Sequence, residues 1–148
     1  KGRDAMTYRS WKFEDILKIS ELEKECFSDP WTYRMFVEGF SSKLFYGVCA
    51  VEDGEIVGYA CETVLFENAE VDNIAVAESC RRRGVGKKLL KKLETEAKER
   101  GARVILLEVR VSNAPAMTMY LKEGFKGIYV RPRYYPDGED AVVMQKEL

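Results

Sequence analysis

The segment Arg81-Arg82-Arg83-Gly84-Val85-Gly86-Lys87 joins two properties that an anion site needs. Its glycines let a ligand come close to the backbone, and cationic side chains stand beside them. It lies where a strand pattern has ended and a helix pattern begins. The first N–H groups of that helix lack internal partners and carry the positive end of its dipole. On charge alone, a pyrophosphate cradle and a solvated basic turn both fit. Glu108 follows the apolar run Val104 to Leu107, where desolvation would push a carboxyl toward the range useful in a general base; Arg110, two residues on, would otherwise neutralise it in a structural ion pair. Tyr120 shares a helix face with Ala116, Met117 and Leu121, as a core aromatic would. Histidine is absent, which removes Ser-His-Asp and Cys-His chemistry and the commonest zinc ligand together.

Hydrophobic spacing supplies the elements that must hold these residues. A short strand near Thr7 to Arg9 precedes a helix carrying Ile16, Ile19, Leu22 and Cys26, and Thr32 caps a second helix that Gly39 ends. Three antiparallel strands follow: Leu44 to Val51, Ile56 to about Phe66, and Glu70 to Ala77, with turns at Asp53-Gly54 and Glu67-Asn68-Ala69. Val85, Leu89, Leu93 and Ala97 then mark a long helix stopped by Gly101. The continuous run Val104 to Leu107 reads as a strand buried on both faces. Strand, helix, strand implies a parallel crossover. Asn113 caps a further helix with Pro115 in its first turn and Gly124 at its end, and strands near Phe125 to Val130 and Ala141 to Lys146 flank a Pro/Tyr/Gly loop. The expected class is α+β, a mostly antiparallel sheet with one parallel β-α-β crossover and about four helices.

At 148 residues the chain fits one domain, taken as residues 6–148, with Lys1 to Ala5 read as a cloning remnant or short extension. No apolar run approaches the roughly 18 residues of a membrane-spanning helix. Twenty-four basic against 25 acidic side chains give a net charge of −1, which disfavours a charge-driven nucleic-acid or membrane binder. Cys26, Cys49, Cys61 and Cys80 show no C-x-x-C spacing, so reduced thiols in the cytoplasm and no metal site are expected. Cys80 is expected to be exposed or semi-buried beside the basic loop. A Walker loop would need glycine at Arg81 and Ser/Thr at Lys88, and the dinucleotide fingerprint would need glycine at Leu89. Neither is present.

The pattern R-x-x-G-x-G at Arg81, Gly84 and Gly86 resembles the acetyl-CoA motif of the GCN5-related N-acetyltransferase (GNAT) superfamily. Asn73-Ile74-Ala75-Val76 before it, Leu107 to Asn113 after it, and Ala116 through Tyr120 to Gly124-Phe125 share that resemblance. Phe27-Ser28-Asp29-Pro30-Trp31 and Arg133-Tyr134-Tyr135-Pro136 with Glu139-Asp140-Ala141 are similar to the RimI-like ribosomal-protein alanine acetyltransferases. What the resemblance implies is a GNAT fold and transfer of acetyl from acetyl-CoA to an amine by direct attack. It places the pantetheine on Ile74, Ala75 and Val76, the pyrophosphate on Arg81, Arg82, Arg83, Gly84, Val85, Gly86 and Lys87, and a further cofactor contact at Asn113. It gives Glu108 as base and Tyr120 as acid, a phenol suited to protonating a thiolate. Loops carrying Trp31, Asp29, Tyr134 and Tyr135 would border a protein N-terminus, with Glu62 and Asp72 as further acidic contacts. The implied acceptor is the N-terminal alanine of a small-subunit ribosomal protein. Lysine or small-amine acetylation, a noncatalytic CoA-binding sensor and a nucleic-acid binder are the competing functions. Oligomeric state is not legible.

Overall fold

The structure, a computed structural model, describes residues 6–148; the expectation for Lys1 to Ala5 lies outside the described residues. β1 (Thr7–Ser10) leads through a 3-10 turn at Phe13–Asp15 into α1 (Ile16–Cys26), whose Ile16, Ile19 and Leu22 are buried at helical spacing. α2 (Tyr33–Phe40) starts where expected, with the Thr32 hydroxyl accepting from the Met35 N–H at 3.1 Å. Gly39 does not end it. The helix continues to Phe40, and Ser41 closes it by donating its hydroxyl to the Val37 carbonyl at 2.8 Å.

β2 (Phe45–Glu52), β3 (Glu55–Leu65) and β4 (Asn68–Val76) form the antiparallel half of the sheet. Asp53 and Gly54 both take positive φ, 53° and 78°, as the tight hairpin turn demands. The next turn falls earlier than expected: Leu65 pairs with Asn68, so Phe66 (φ 54°) and Glu67 form it and Asn68 already belongs to β4. α3 (Val85–Glu99) crosses over to β5 (Val104–Arg110), which runs parallel to β4. α4 (Ala114–Lys122), β6 (Lys126–Arg131) and β7 (Ala141–Glu147) complete a seven-stranded sheet of order β1-β2-β3-β4-β5-β7-β6.

Helices cover both faces. On one, Leu89, Leu90, Leu93 and Ala97 of α3 pack on Val48, Ala60, Val64 and Ile105, and Tyr120 and Phe125 extend that core toward α4. On the other, Ile16, Ile19 and Phe36 meet Trp11, Cys49, Tyr59 and Cys61. Burying each such aliphatic or aromatic side chain stabilises the fold by about 1.5–3 kcal/mol. Val104 to Leu107, expected to be buried on both faces, instead alternate: Ile105 and Leu107 are buried, while Val104 and Leu106 are partly exposed. The face carrying Leu106 opens onto a cleft.

That cleft begins in the sheet itself. β4 and β5 pair only over Asn68–Glu70 with Val104–Leu106. Beyond this point β4 follows β3 as far as Val76, through a bulge in which Glu62 faces Val71 and Cys61 faces Asn73, while β5 follows β7 to Arg110. An extra residue in one strand bends it away from its neighbour. The two central strands therefore diverge as a wedge, leaving backbone donors and acceptors along its edges free of sheet partners.

Candidate active site

Two cavities meet in the wedge. One, of about 880 Å³, reaches from α1 past Asn73, Ile74 and Asn113 to Tyr120; the other, of about 510 Å³, reaches toward Glu70, Tyr129 and Arg131. Trp31, Val71, Asp72, Leu107, Glu108 and Tyr134 line both and so form the throat between them.

The basic loop builds a backbone cradle. Arg82 (φ 63°) and Gly84 (φ 79°) are both left-handed, a curvature that gathers N–H groups into an anion-binding concavity. Gly84 is the N-cap of α3 and supplies no side-chain cap, and the first intrahelical bond runs from Lys88 N to Gly84 O. The amides of Val85, Gly86 and Lys87 thus have no acceptor within the helix. A Cβ on Gly84 would meet nothing within 4 Å, so the space above it is open. The arginines themselves mostly hold the loop. Arg81 Nε donates to the Val76 carbonyl at 3.0 Å, and Arg83 forks onto Glu52 at 3.1 and 2.5 Å. Lys87 reaches Glu123 at 3.6 Å. Cys80 is buried rather than exposed or semi-buried, because it packs beneath this loop beside Arg83. Val85 turns its side chain into the core, leaving its backbone to the cradle. Ile74, Ala75 and Val76 lie on the diverged part of β4.

Tyr120 is 5% exposed, tilted against Phe125 with ring centroids 5.8 Å apart, and faces the larger cavity. It is a core aromatic and a cleft residue at once. Burial pushes its phenol up to about 12, so it keeps its proton throughout the physiological range. Asn113 caps α4 by accepting from the Ala116 N–H at 3.2 Å and lines the same cavity. Glu108 departs from expectation in two ways. It is exposed rather than desolvated, because its strand edge faces the throat, and its ion-pair partner is Arg131 of β6, at 2.6 Å, instead of Arg110. Tyr134 stands beside it, its phenol raised by the neighbouring Glu108 carboxylate.

Arg110 instead ties the two loops at the mouth. It binds Asp29 at 3.2 Å and Asp137 and Glu139 at 2.8 and 2.9 Å, and its guanidinium stacks 4.1 Å from the Tyr135 ring centre. Asp29, Trp31, Tyr134 and Tyr135 thereby come together at the cavity, though Asp29 is already engaged by Arg110. Glu62 does not join them. It is fully buried, with neither carboxylate oxygen hydrogen-bonded among the described residues. Burial pushes its pKa up to about 9, and of the charges it senses, Arg100, Glu96 and Glu94 belong to or adjoin α3, while Asp72 lies on the neighbouring β4.

One group was missed in the sequence. Glu23 of α1, 2% exposed, accepts from the Tyr59 hydroxyl, from Asn73 Nδ2 at 3.0 Å and from the Trp31 N–H at 3.0 Å. It fastens the start of the diverged β4 to the loop carrying Trp31. A charged residue within an apolar helix face, Ile19, Leu22, Glu23, Cys26, was the available signal.

Residues 16–125 match the model of the acetyltransferase (GNAT) family, and the chain belongs to that family. It is an acetyl-CoA-dependent N-acetyltransferase with the expected mixed α/β fold. Among relatives, it is 32% identical to the [ribosomal protein bS18]-alanine N-acetyltransferase of Escherichia coli strain K12, over 93% of this chain and 95% of that protein. It is 34% identical to an N-alpha-acetyltransferase of Saccharolobus solfataricus, over 100% of this chain and 96% of that one. The crystal structure of the ribosomal-protein-S18-alanine N-acetyltransferase from Escherichia coli superposes with a TM-score of 0.90 at 31% identity, covering 97% of this chain and 94% of the other. The open backbone cradle at Gly84 and the diverged edge of β4 fit the pyrophosphate and the amide-bearing arm of acetyl-CoA. Among the described residues, no group of three or more His, Cys, Asp or Glu is arranged to hold a metal, and no helix is long and apolar enough to cross a membrane.

Proposed function

We propose that this chain acetylates the N-terminal α-amine of a protein, with the N-terminal alanine of a small-subunit ribosomal protein as acceptor, in the cytoplasm and as a single domain spanning residues 6–148. The observation that carries this reading is the wedge, whose larger cavity brings Ile74, Asn113 and Tyr120 together with the loops carrying Asp29, Trp31, Tyr134 and Tyr135 and opens through the throat into a second cavity. The Escherichia coli relative carries that specificity in its name, and the Saccharolobus solfataricus relative is named for the α-amine alone.

Acetyl-CoA supplies an activated acetyl thioester. The backbone from Arg81 to Lys87 holds the pyrophosphate; Ile74, Ala75 and Val76 hold the pantetheine, with Asn113 alongside. Trp31, Asp29, Tyr134 and Tyr135 border the incoming peptide. An α-amine with a pKa of about 7.7–8.0 arrives mainly as an ammonium near pH 7. Glu108, at the throat, takes one proton from it, and the freed nitrogen attacks the thioester carbonyl. Tyr120 faces the larger cavity and donates its proton to the sulfur as the carbon–sulfur bond breaks, and the second proton lost by the attacking nitrogen passes to solvent, from which Tyr120 regains its own. Its raised pKa makes stabilising the charge that develops on the sulfur, rather than early proton loss, its main contribution.

The test compares three acceptors with acetyl-CoA: peptides beginning with free alanine, the same peptides blocked at the α-amine but carrying internal lysine, and polyamines. Product masses are mapped by site. The alanine-first peptide is expected to give the highest kcat/KM. Faster acetylation of blocked lysine peptides or polyamines would overturn the acceptor assignment while leaving the acetyltransferase activity standing.

A further inference from the structure

The residue left over in the β4 bulge is Asp72, since Glu62 faces Val71 and Cys61 faces Asn73. A bulge re-aims the side chains it carries. Here Asn73 reaches Glu23 of α1, while Asp72 Oδ2 accepts from the Thr63 hydroxyl of β3 at 2.6 Å. Asp72 and Glu108 are the two carboxylates that line both cavities. Their settings differ. Glu108 is matched by Arg131, whereas Asp72 Oδ2 is held by a neutral hydroxyl and Oδ1 has no hydrogen-bond partner among the described residues.

We propose that Asp72 receives the protonated α-amine of the acceptor at the throat, holding the ammonium through Oδ1 between the thioester edge of β4 and Glu108. This rests on the acceptor reading above. An ammonium entering a narrowing cleft gives up water and needs an opposing charge. Glu108 is matched by Arg131, Asp29, Asp137 and Glu139 are matched by Arg110, and Glu70 lines only the smaller cavity, outside the throat. Glu62 faces away from the cleft, toward α3. Asp72 is left to do it, and the loss of one proton from the held ammonium to Glu108 leaves Asp72 ionised throughout.

The groups around Asp72 define the pH range in which this works. Glu70 lies on its own strand, Cys61 and Glu62 on β3, Glu23 on α1, and Glu108, Tyr134 and the Glu108-bound Arg131 across the wedge. Burial raises Asp72 to about 6, the Thr63 hydrogen bond opposes this, and Glu70 adds to it. Above that pH the carboxylate is charged, and up to about 8 the amine is charged as well. Between these limits the pair forms; as pH falls through about 6, Asp72 takes up a proton and the hold weakens.

Calorimetry on the protein saturated with CoA would compare an alanine-first peptide with its desamino analogue, in which propionyl replaces alanyl. At pH 7 the unaltered protein should prefer the amine-bearing peptide about tenfold or more, the range of a hydrogen bond to a charged group. Asp72→Asn keeps the Thr63 acceptor and should bring the preference below about threefold, raising the peptide KM more than it lowers kcat and leaving acetyl-CoA affinity unchanged. A folded Asp72→Asn that keeps the preference would overturn the proposal. The unaltered protein gives a test that does not depend on the variant's folding: a preference as large at pH 5 as at pH 7.5 overturns it equally. Should the unaltered protein acetylate no alanine-first peptide, the acceptor reading falls, and this one with it; normal acetylation by an unimpaired Asp72→Asn removes Asp72 alone.

Discussion

The cradle at Arg81–Lys87 and the throat at Asp72 and Glu108, the proposed cofactor and acceptor ends of the site, are built by opposite means. The cradle is backbone: two left-handed residues, Arg82 and Gly84, and the uncapped start of α3, all within a few residues of one another. The throat is side chain, collected from the loop after α1, β4, β5 and the loop before β7. A backbone site tolerates most side-chain changes, because its donors belong to every residue. A side-chain site depends on distant elements meeting, and a single substitution can remove a function.

The largest expected effect lies on the throat side. Tyr120→Phe removes one hydroxyl from a well-packed ring and should lower kcat by about 10²–10⁴-fold, the usual worth of a positioned acid or base. Acetyl-CoA affinity should change little, and stability little more, since no protein hydrogen bond to that hydroxyl exists among the described residues. Glu108→Gln should also reduce kcat. Pre-steady-state acetylation at saturating acetyl-CoA measures both. Near-normal kcat in both variants would return Tyr120 to a purely packing role and Glu108 to its ion pair with Arg131.

Glu23→Ala attacks the throat from behind. It strands the Tyr59 hydroxyl, Asn73 Nδ2 and the Trp31 N–H, each of which now donates to a buried carboxylate. Leaving buried donors unmatched costs about 1–3 kcal/mol apiece, so a net loss of about 3 kcal/mol is expected, a Tm drop of about 10 °C. Glu23→Gln keeps one acceptor oxygen and should lose less. If the two regions are as separate as their construction suggests, peptide KM rises in Glu23→Gln while acetyl-CoA affinity holds. Equal weakening of both ligands would mean that the network supports the whole wedge.

Gly86→Val addresses the cradle alone. A Cβ there would lie 3.5 Å from Met119 Sδ and 3.8 Å from Val76 Cγ2, ordinary contacts that a branched side chain would tighten. The helix should still form. Acetyl-CoA binding should weaken about tenfold, or about 1.4 kcal/mol, with peptide KM at saturating acetyl-CoA unchanged. Unaltered calorimetric affinity in the folded variant would remove Gly86 from the cradle.

This difference in construction decides what the sequence could reveal. The cradle was legible because its signals are local: glycines beside a helix start, with a strand pattern just before. The caps at Thr32 and Asn113 were legible for the same reason, and so was the parallel crossover between β4 and β5. The partner of Glu108 was not. Arg131 is brought to it by the placement of β7 between β5 and β6, and only sheet order decides that Arg131 rather than the nearer Arg110 arrives. The bulge that isolates Asp72 is a register event between β3 and β4, set by packing rather than by any turn residue at the spot. Glu62 was misplaced by the same limitation, since alternation along β3 fixes its face only once β2 and β4 are in register.

Glu62 supplies the smallest expected effect on turnover, and a control that should touch neither region. Its carboxyl is fully buried without a hydrogen bond among the described residues, and burial, the largest cause, raises its folded pKa to about 9 from an ordinary value of 4.5. The folded state therefore binds this proton more tightly than the unfolded chain. Stability from that preference is fully present below about pH 4.5 and is lost as pH rises toward 9, because the unfolded chain ionises first. Glu62→Gln has no proton to lose, so its stability relative to the unaltered protein should rise between pH 5 and pH 8, by up to about 4 kcal/mol. The Tm difference should widen with it. Thermal denaturation at the two pH values reads the effect, and kcat/KM at pH 7 should stay within about twofold of the unaltered protein, the carboxyl being separated from the throat by the sheet. A Glu62→Gln variant with the same Tm difference at pH 5 and pH 8 would show that Glu62 ionises in the folded protein, and a large loss of kcat/KM would carry the acceptor site through β3 to the α3 side of the sheet.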